Sequence, residues 1–178
     1  MTMTTYTLAG GCFWCLEAVY QQFSGVESIL NGYTGGSAED ASYYRVASGQ
    51  TNHAEAVQIR FDEAVIPTEV ILDMFFLIHN PTTLNQQGAD IGSQYRSAMF
   101  YQNEHQKSDF KAALDRAQVN WDDTIVTEIA KLDKFYEAEP EHFDYYTNNP
   151  TNPYCSAVIT PKVLKARSFY RGPSSTME

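Results

Sequence analysis

The 178-residue chain is short of positive charge: 12 Lys and Arg stand against 22 Asp and Glu, for a net charge of -10. Such a surface repels a phosphate backbone, which argues against nucleic acid as a partner. Long apolar runs are missing too. The longest, residues 70–78, has nine residues and is broken by Asp73, well under the roughly 20 needed to cross a bilayer. No membrane association is expected. The first eleven residues carry no Lys or Arg and no long apolar core, so no secretory signal is expected and the compartment is expected to be the reducing cytoplasm. Internal repeats of about 20 to 50 residues and low-complexity tracts are absent, which leaves one domain over residues 1–178. At this length roughly 70% of the unfolded chain's surface can be buried, so neither a disulfide nor a metal is needed to make up for a thin core. Cysteine is scarce and odd in number, at three. Three thiols cannot all pair within the chain, and in a reducing compartment such a set is more often catalytic, redox or metal-binding than structural.

What is present alternates between strand-like and helix-like segments. Residues 5–9 read as a strand, Gly10 and Gly11 break it, and residues 13–23 place Leu16, Val19, Tyr20 and Phe23 at helical spacing. Gly32, Gly35 and Gly36 mark a loop, and residues 56–61 alternate as a strand with Glu55 at its start. Pro67, as the first helical residue, opens a helix over 68–79 that Pro81 ends. Strands over 97–101 and 124–132 flank the clearest helix, 103–121, which puts Phe110, Leu114 and Ala117 on one side. One sheet with helices against it means α+β or α/β. Residues 147–153, TNNPTNP, read as a loop; beyond it Lys162, Lys165, Arg167 and Arg171 lie in a stretch without acidic residues, which reads as a C-terminal arm.

Four groups of residues can carry chemistry. Cys12 and Cys15, in GGCFWC, fall at a strand-to-helix turn. A thiol there faces unpaired backbone N–H groups and the positive end of the helix dipole, which favour the nucleophilic thiolate, so Cys12 is the candidate nucleophile. Cys15, about one turn on, suits a C-x-x-C redox pair. Plain buried cysteines and half a zinc site fit the same spacing, but the remaining Cys155 and four His complete no four-ligand pattern. Phe13 and Trp14 offer an apolar wall for a methyl or thioether group, with core packing as the alternative. Glu55, in NHAEA, is a general acid if buried among apolar neighbours and an ordinary strand-end carboxylate if solvated. His53 reads either as a base or as a histidine satisfied by its loop. The polar stretch 80–97, NPTTLNQQGADIGSQYRS, is too long for an idle connection, and Asp90 and Tyr95 stand out in it.

The motifs GCFWC (11–15), GYTGG (32–36), Y-x-x-V-x-x-G (43–49), HAEAV (53–57), the NPT-to-YRS stretch (80–97) and PYC (153–155) occur in one order and register. In that set the chain resembles the peptide methionine sulfoxide reductases of the A type over about residues 6–170. The resemblance implies an α+β fold, an α/β roll with a mixed sheet and a ferredoxin-like βαββ core plus an irregular C-terminal arm from about residue 147. It implies no metal and no bound organic cofactor. Residue by residue, Cys12 matches the catalytic cysteine, Phe13 and Trp14 the pocket for the substrate methyl group, and Glu55 the acid that protonates the sulfoxide oxygen. Tyr43, Asp90 and Tyr95 match the groups around that oxygen, and Cys155 the resolving cysteine. The implied partners are methionine S-sulfoxide, free or in oxidised proteins, and thioredoxin as reductant; the implied role is repair after oxidative damage. Cys15 stands where many members have Gly, which adds a third thiol. The expected first bridge is Cys12 to Cys155, with later exchange to Cys15, because i and i+3 sulfurs on a regular helix meet only if the turn or the rotamers cooperate. A general thiol-disulfide oxidoreductase built on Cys12 and Cys15 is the alternative function.

Overall fold

A computed structural model describes residues 2–172. Its elements in chain order are β1 (Met3–Ala9), α1 (Phe13–Tyr20), β2 (Val26–Thr34), α2 (Tyr43–Ala47), β3 (Ala54–Asp62), α3 (Thr68–Ile78), β4 (Gln86–Gln87), β5 (Asp90–Ile91), β6 (Ala98–Tyr101), α4 (Glu104–Gln118), β7 (Glu128–Lys131), β8 (Phe135–Glu137), α5 (Tyr145–Asn148) and α6 (Thr160–Phe169). Six strands form one sheet in the order β7-β6-β1-β3-β2-β8. All pairings are antiparallel except β6 with β7, so the sheet is mixed, and β1-α1-β2-β3 is the expected βαββ core. The α+β class therefore holds.

The period of two along β3 sorts its side chains onto two faces. Val57, Ile59 and Phe61 join Tyr6, Leu8, Tyr33, Phe13, Leu16 and Phe75 in the large core beneath the helices, while Ala54 and Ala56 join Ala9, Ala98 and Phe100 in a smaller cluster on the other face. Glu55 is in phase with Val57, so strand geometry drives its carboxyl into the large core, where it is 1% exposed.

Several boundaries differ from expectation, each for a local reason. Gly32 lies inside β2 and not in a loop; it pairs with Ala56 and Glu137, and a Cβ there would stand 2.3 Å from the Tyr136 carbonyl oxygen. The glycine permits close strand approach. Pro67 is the residue before α3 and is extended, with ψ 148°. α4 begins after Asn103, whose Oδ1 accepts the Gln106 amide at 2.9 Å. The polar stretch 80–97 has its own order: β4 pairs with β5, and Asn80 and Gln87 tie its base, with the Asn80 amide donating to Gln87 Oε1 at 3.0 Å. Only Glu128–Lys131 of the strand expected at 124–132 joins the sheet. The C-terminal arm is irregular only in part. After the loop it makes a π turn, Cys155–Ile159, that runs into α6, whose Val163 and Ala166 pack into the core.

Candidate active site

β1 ends against two glycines, and Gly11, at φ +92°, turns the chain so that Cys12 caps α1 without using its side chain as a cap. Almost all of α1 is buried, with Trp14 only partly covered. Glu55 on β3 reaches the free helix end: its Oε1 accepts the Phe13 amide at 3.2 Å. Burial raises the Glu55 pKa, the Phe13 amide opposes the rise, and the negative groups of Asp90 and Cys15 add to it, leaving it at about 8. Near neutral pH Glu55 is a protonated, buried acid. The alternative of a solvated strand-end carboxylate is thereby removed.

The thiols depart from the simple helix-terminus expectation. Cys12 is 8% exposed and Cys15 1%. Burial pushes the Cys12 pKa well up, and its hydrogen bond to Cys15 and the nearby Glu55 push it further; the Trp14 amide opposes them and loses. Cys15 is lowered to about 7, first because it accepts the Cys12 S–H, against its own burial, with help from Lys162 and the Tyr154 hydroxyl. Desolvation thus outweighs the helix dipole at Cys12, and the two thiols share a proton through their mutual hydrogen bond. The contact meets the stated condition for i and i+3 sulfurs to approach: Cys12 precedes the first helical residue, in extended conformation at ψ 128°, so the regular helical separation does not apply.

Tyr43, Asp90 and Tyr95 gather around this centre. Burial first, then the Glu55 carboxyl, raises Tyr43 to about 12, with Cys12 and Asp90 adding to it. Tyr95 is raised by burial and by Glu55, Asp90 and Cys12. Both hydroxyls remain protonated donors over the working pH range. Asp90 accepts the Tyr154 hydroxyl at 2.9 Å, and the same hydroxyl lies 3.7 Å from Cys15 Sγ. Cys155, the next residue, is buried, and burial followed by the neighbouring Cys15 raises its pKa.

The aromatic wall is partly covered by the chain itself. Phe13 is fully buried among Trp14, Tyr33 and His142. Trp14 stacks on Tyr145 at 3.6 Å and 3° and donates its Nε1–H to His142 Nδ1 at 3.2 Å. His53 takes the bland alternative: its Nδ1 accepts the Gly36 amide at 3.1 Å and its Nε2 contacts the Ser37 carbonyl at 2.7 Å.

The residue-level reading missed Tyr33, Glu139, His142, Tyr145 and Tyr154. Glu139 accepts from the Tyr33 hydroxyl at 2.8 Å and from the Tyr43 amide at 2.9 Å. Burial alone would raise Glu139, but those two hydrogen bonds prevail and hold it below the usual carboxylate range. Tyr33 and Tyr154 carried a signal, the GYTGG and PYC motifs; the others sit in segments without distinctive spacing. Among the described residues no three His, Cys, Asp or Glu side chains come together to hold a metal ion, and no helix is long and apolar enough to cross a membrane.

Comparison with known proteins adds four findings. Residues 4–172 match the family model described as peptide methionine sulfoxide reductase. The peptide methionine sulfoxide reductase MsrA of Paenarthrobacter aurescens (strain TC1) is 55% identical over 168 residues, 94% of this chain and 97% of that one. Among solved structures, reduced Mxr1 from Saccharomyces cerevisiae superposes with a TM-score of 0.81 at 34% identity, covering 86% of this chain and 89% of the other. Mxr1 in complex with Trx2 superposes with a TM-score of 0.58 at 26% identity, over 79% and 84%.

Proposed function

Since the chain belongs to the peptide methionine sulfoxide reductase family, we propose a mechanism in which Cys12 attacks the sulfoxide while Glu55 protonates its oxygen. The reaction is the reduction of methionine S-sulfoxide, free or in proteins, to methionine, a repair of oxidative damage. A sulfoxide is a poor electrophile until its oxygen is protonated, so nucleophile and acid must act together. The hydrogen bond between the two thiols lets the Cys12 proton pass to the Cys15 sulfur as the substrate is attacked, which supplies the Cys12 thiolate. Tyr43 and Tyr95 hydrogen-bond the oxygen, Asp90 orients the groups beside it, and Phe13 with Trp14 takes the methyl group. Two fixed sides, apolar for the methyl and acidic for the oxygen, present one face of sulfur to Cys12 and select the S epimer.

Oxygen passes from the substrate sulfur, which is reduced by two electrons, to Cys12, which becomes a sulfenic acid. The thiol nearest to it is Cys15, so we revise the expected order: Cys12–SOH condenses with Cys15, releasing water and forming a Cys12–Cys15 disulfide. The Cys155 thiolate then attacks Cys15, which frees the Cys12 thiol and leaves a Cys15–Cys155 disulfide. A dithiol reductant, thioredoxin by analogy with the Mxr1–Trx2 complex, takes that bridge. The chain acts as one domain in the reducing cytoplasm, its arm from about residue 147 bearing Cys155, with no cofactor required.

The observation that carries this reading is a protonated, buried Glu55 bonded to the amide of the residue that follows the nucleophile. Incubation with each methionine sulfoxide epimer and dithiothreitol, followed by quantification of methionine, tests it. Methionine from the S epimer alone is expected, and equal rates on both epimers would overturn the pocket. The lowered Cys15 in contact with Cys12 also suits a general thiol-disulfide oxidoreductase. Direct reduction of insulin disulfides without sulfoxide turnover would favour that second function.

A further inference from the structure

Glu17 is a buried acid that the chemistry above leaves unused. It lies on α1, three residues beyond Trp14, and is 2% exposed. Its Oε2 accepts the Asp144 amide at 3.1 Å, and the Tyr145 amide also donates to the carboxyl. Asp144 holds a left-handed conformation at φ 54° and makes no side-chain cap for α5, so the carboxyl from α1 does the work of a cap. Beside it, Asn31 on β2 donates its Nδ2–H to the His142 carbonyl at 2.8 Å. Two buried side chains from the βαββ core thus grip the backbone of residues 142–145. The residues at the ends of that segment, His142 and Tyr145, are the ones that bond and stack on the Trp14 indole.

We propose that Glu17, together with Asn31, is a positioning residue for substrate: by fixing the backbone of residues 142–145 it sets His142 and Tyr145 against Trp14 and so shapes the wall that receives the substrate methyl group. This rests on the methionine sulfoxide reductase reading. A second observation supports it. Glu17 Oε1 and Asn31 Oδ1 are both buried acceptors without a hydrogen-bond partner among the described residues, and Asn31 is within hydrogen-bond reach of the Glu17 carboxyl. Burial raises the Glu17 pKa, more than the Asp144 amide lowers it. A glutamine amide at this position keeps an acceptor for the arm and brings a donor toward Asn31 in the same shape.

The test uses the whole chain and N-acetylmethionine S-sulfoxide in single turnovers. Glu17→Met keeps length and helix propensity but removes the acceptor. It should raise the half-saturating substrate concentration about tenfold, the size expected for one buried hydrogen bond. The limiting rate and the yield of one methionine per enzyme should stay near wild type. Glu17→Gln should restore wild-type half-saturation. In a Trp121→Phe background, where Trp14 is the remaining tryptophan, Glu17→Met should shift the emission to the red. Tyr145→Ala should weaken substrate binding similarly, and the double variant should add little further loss. A merely structural role predicts the opposite set: fewer active molecules with unchanged half-saturation, unchanged emission, and additive losses. Any of these overturns the proposal, as does a Glu17→Gln variant as impaired as Glu17→Met. Should Glu17→Met fail to fold, Asn31→Ala removes the second grip and must show the same weakened binding and the same emission shift. A wild-type protein that makes no methionine would sink the reductase reading itself, while the emission shift would still decide whether Glu17 sets the Trp14 wall.

Discussion

The site has two walls built in different ways. Glu55 stands on β3, which is paired along its length with β1 and β2, so moving its carboxyl means breaking a ladder at the centre of the sheet. The opposite wall, His142, Tyr145, Tyr154 and Cys155, belongs to the C-terminal segment and is held mainly by side-chain bonds: Tyr33 to Glu139, Asn31 to the His142 carbonyl, Glu17 to the Asp144 amide and Tyr154 to Asp90. Each such bond contributes about 1 kcal/mol, and regions held this way open at far lower cost than central strands. Proton delivery needs a fixed acid, whereas thiol relay needs a sulfur that can travel. In the proposed mechanism the first task falls to the sheet and the second to the arm.

The sharpest break of that comparison comes from the nucleophile between the walls. Cys12→Ser should abolish even the first turnover, since a hydroxyl at its ordinary pKa is a far weaker nucleophile than a thiolate; one equivalent of methionine from this variant would mean that the nucleophile lies elsewhere.

On the sheet wall, Glu55→Gln should slow the first turnover by a factor on the order of 10² to 10⁴, the usual range for losing a general acid. The wild-type rate should rise as the thiol pair loses a proton near pH 7 and fall above about 8 as Glu55 loses its own. The variant should keep the acidic limb and lose the alkaline one. A retained alkaline limb would assign it to another group.

The same residue separates stability from activity. Folded Glu55 holds its proton up to about pH 8, above the ordinary carboxyl range, so between those values the folded state binds more protons than the unfolded and wild-type stability falls as pH rises. Glu55→Gln should therefore gain thermal stability relative to wild type as pH goes from 5 to 9, by a few degrees for each kcal/mol at this chain length. A difference in Tm that does not change with pH would show that Glu55 is not buried as an acid.

On the arm wall, Cys155→Ser should leave the first turnover intact and lose most thioredoxin-dependent cycling, accumulating the Cys12–Cys15 bridge. Peptide mapping after one equivalent of substrate checks this; a Cys12–Cys155 bridge as the first disulfide in wild type would reverse the relay. The smallest effect belongs to Tyr154→Phe. Losing the bond to Asp90 should change single-turnover kinetics by about fivefold or less, the worth of roughly 1 kcal/mol, and a loss as large as that of Glu55→Gln would erase the division between the walls.

Much of the site was legible in one dimension because its key parts are local. Cys12 at a glycine turn before a helix, and Glu55 in phase with Val57, Ile59 and Phe61 on a strand, follow from backbone periodicity alone. The motifs at 80–97 and 153–155 named Asp90, Tyr95 and Cys155 through their resemblance to a family, without saying what they touch. The burial that pushes the Cys12 thiol up was not legible, because the helix end is visible in sequence and desolvation is not. β2 was obscured at Gly32, whose lack of a side chain looks like a loop until β8 is seen against it.

The amino-acid order by itself determined the alternation of β1, α1 and β3, the excess of acidic residues and the candidate reacting groups, since these depend on side-chain chemistry and on contacts a few residues apart. Tertiary structure alone decided which sulfur meets which, how Glu55 comes to hold its proton, and that residues from 139 to 155 close over Trp14. Those outcomes depend on burial and on contacts between segments more than 100 residues apart, such as Trp14 with His142 and Glu17 with Asp144, and local spacing carries no record of them.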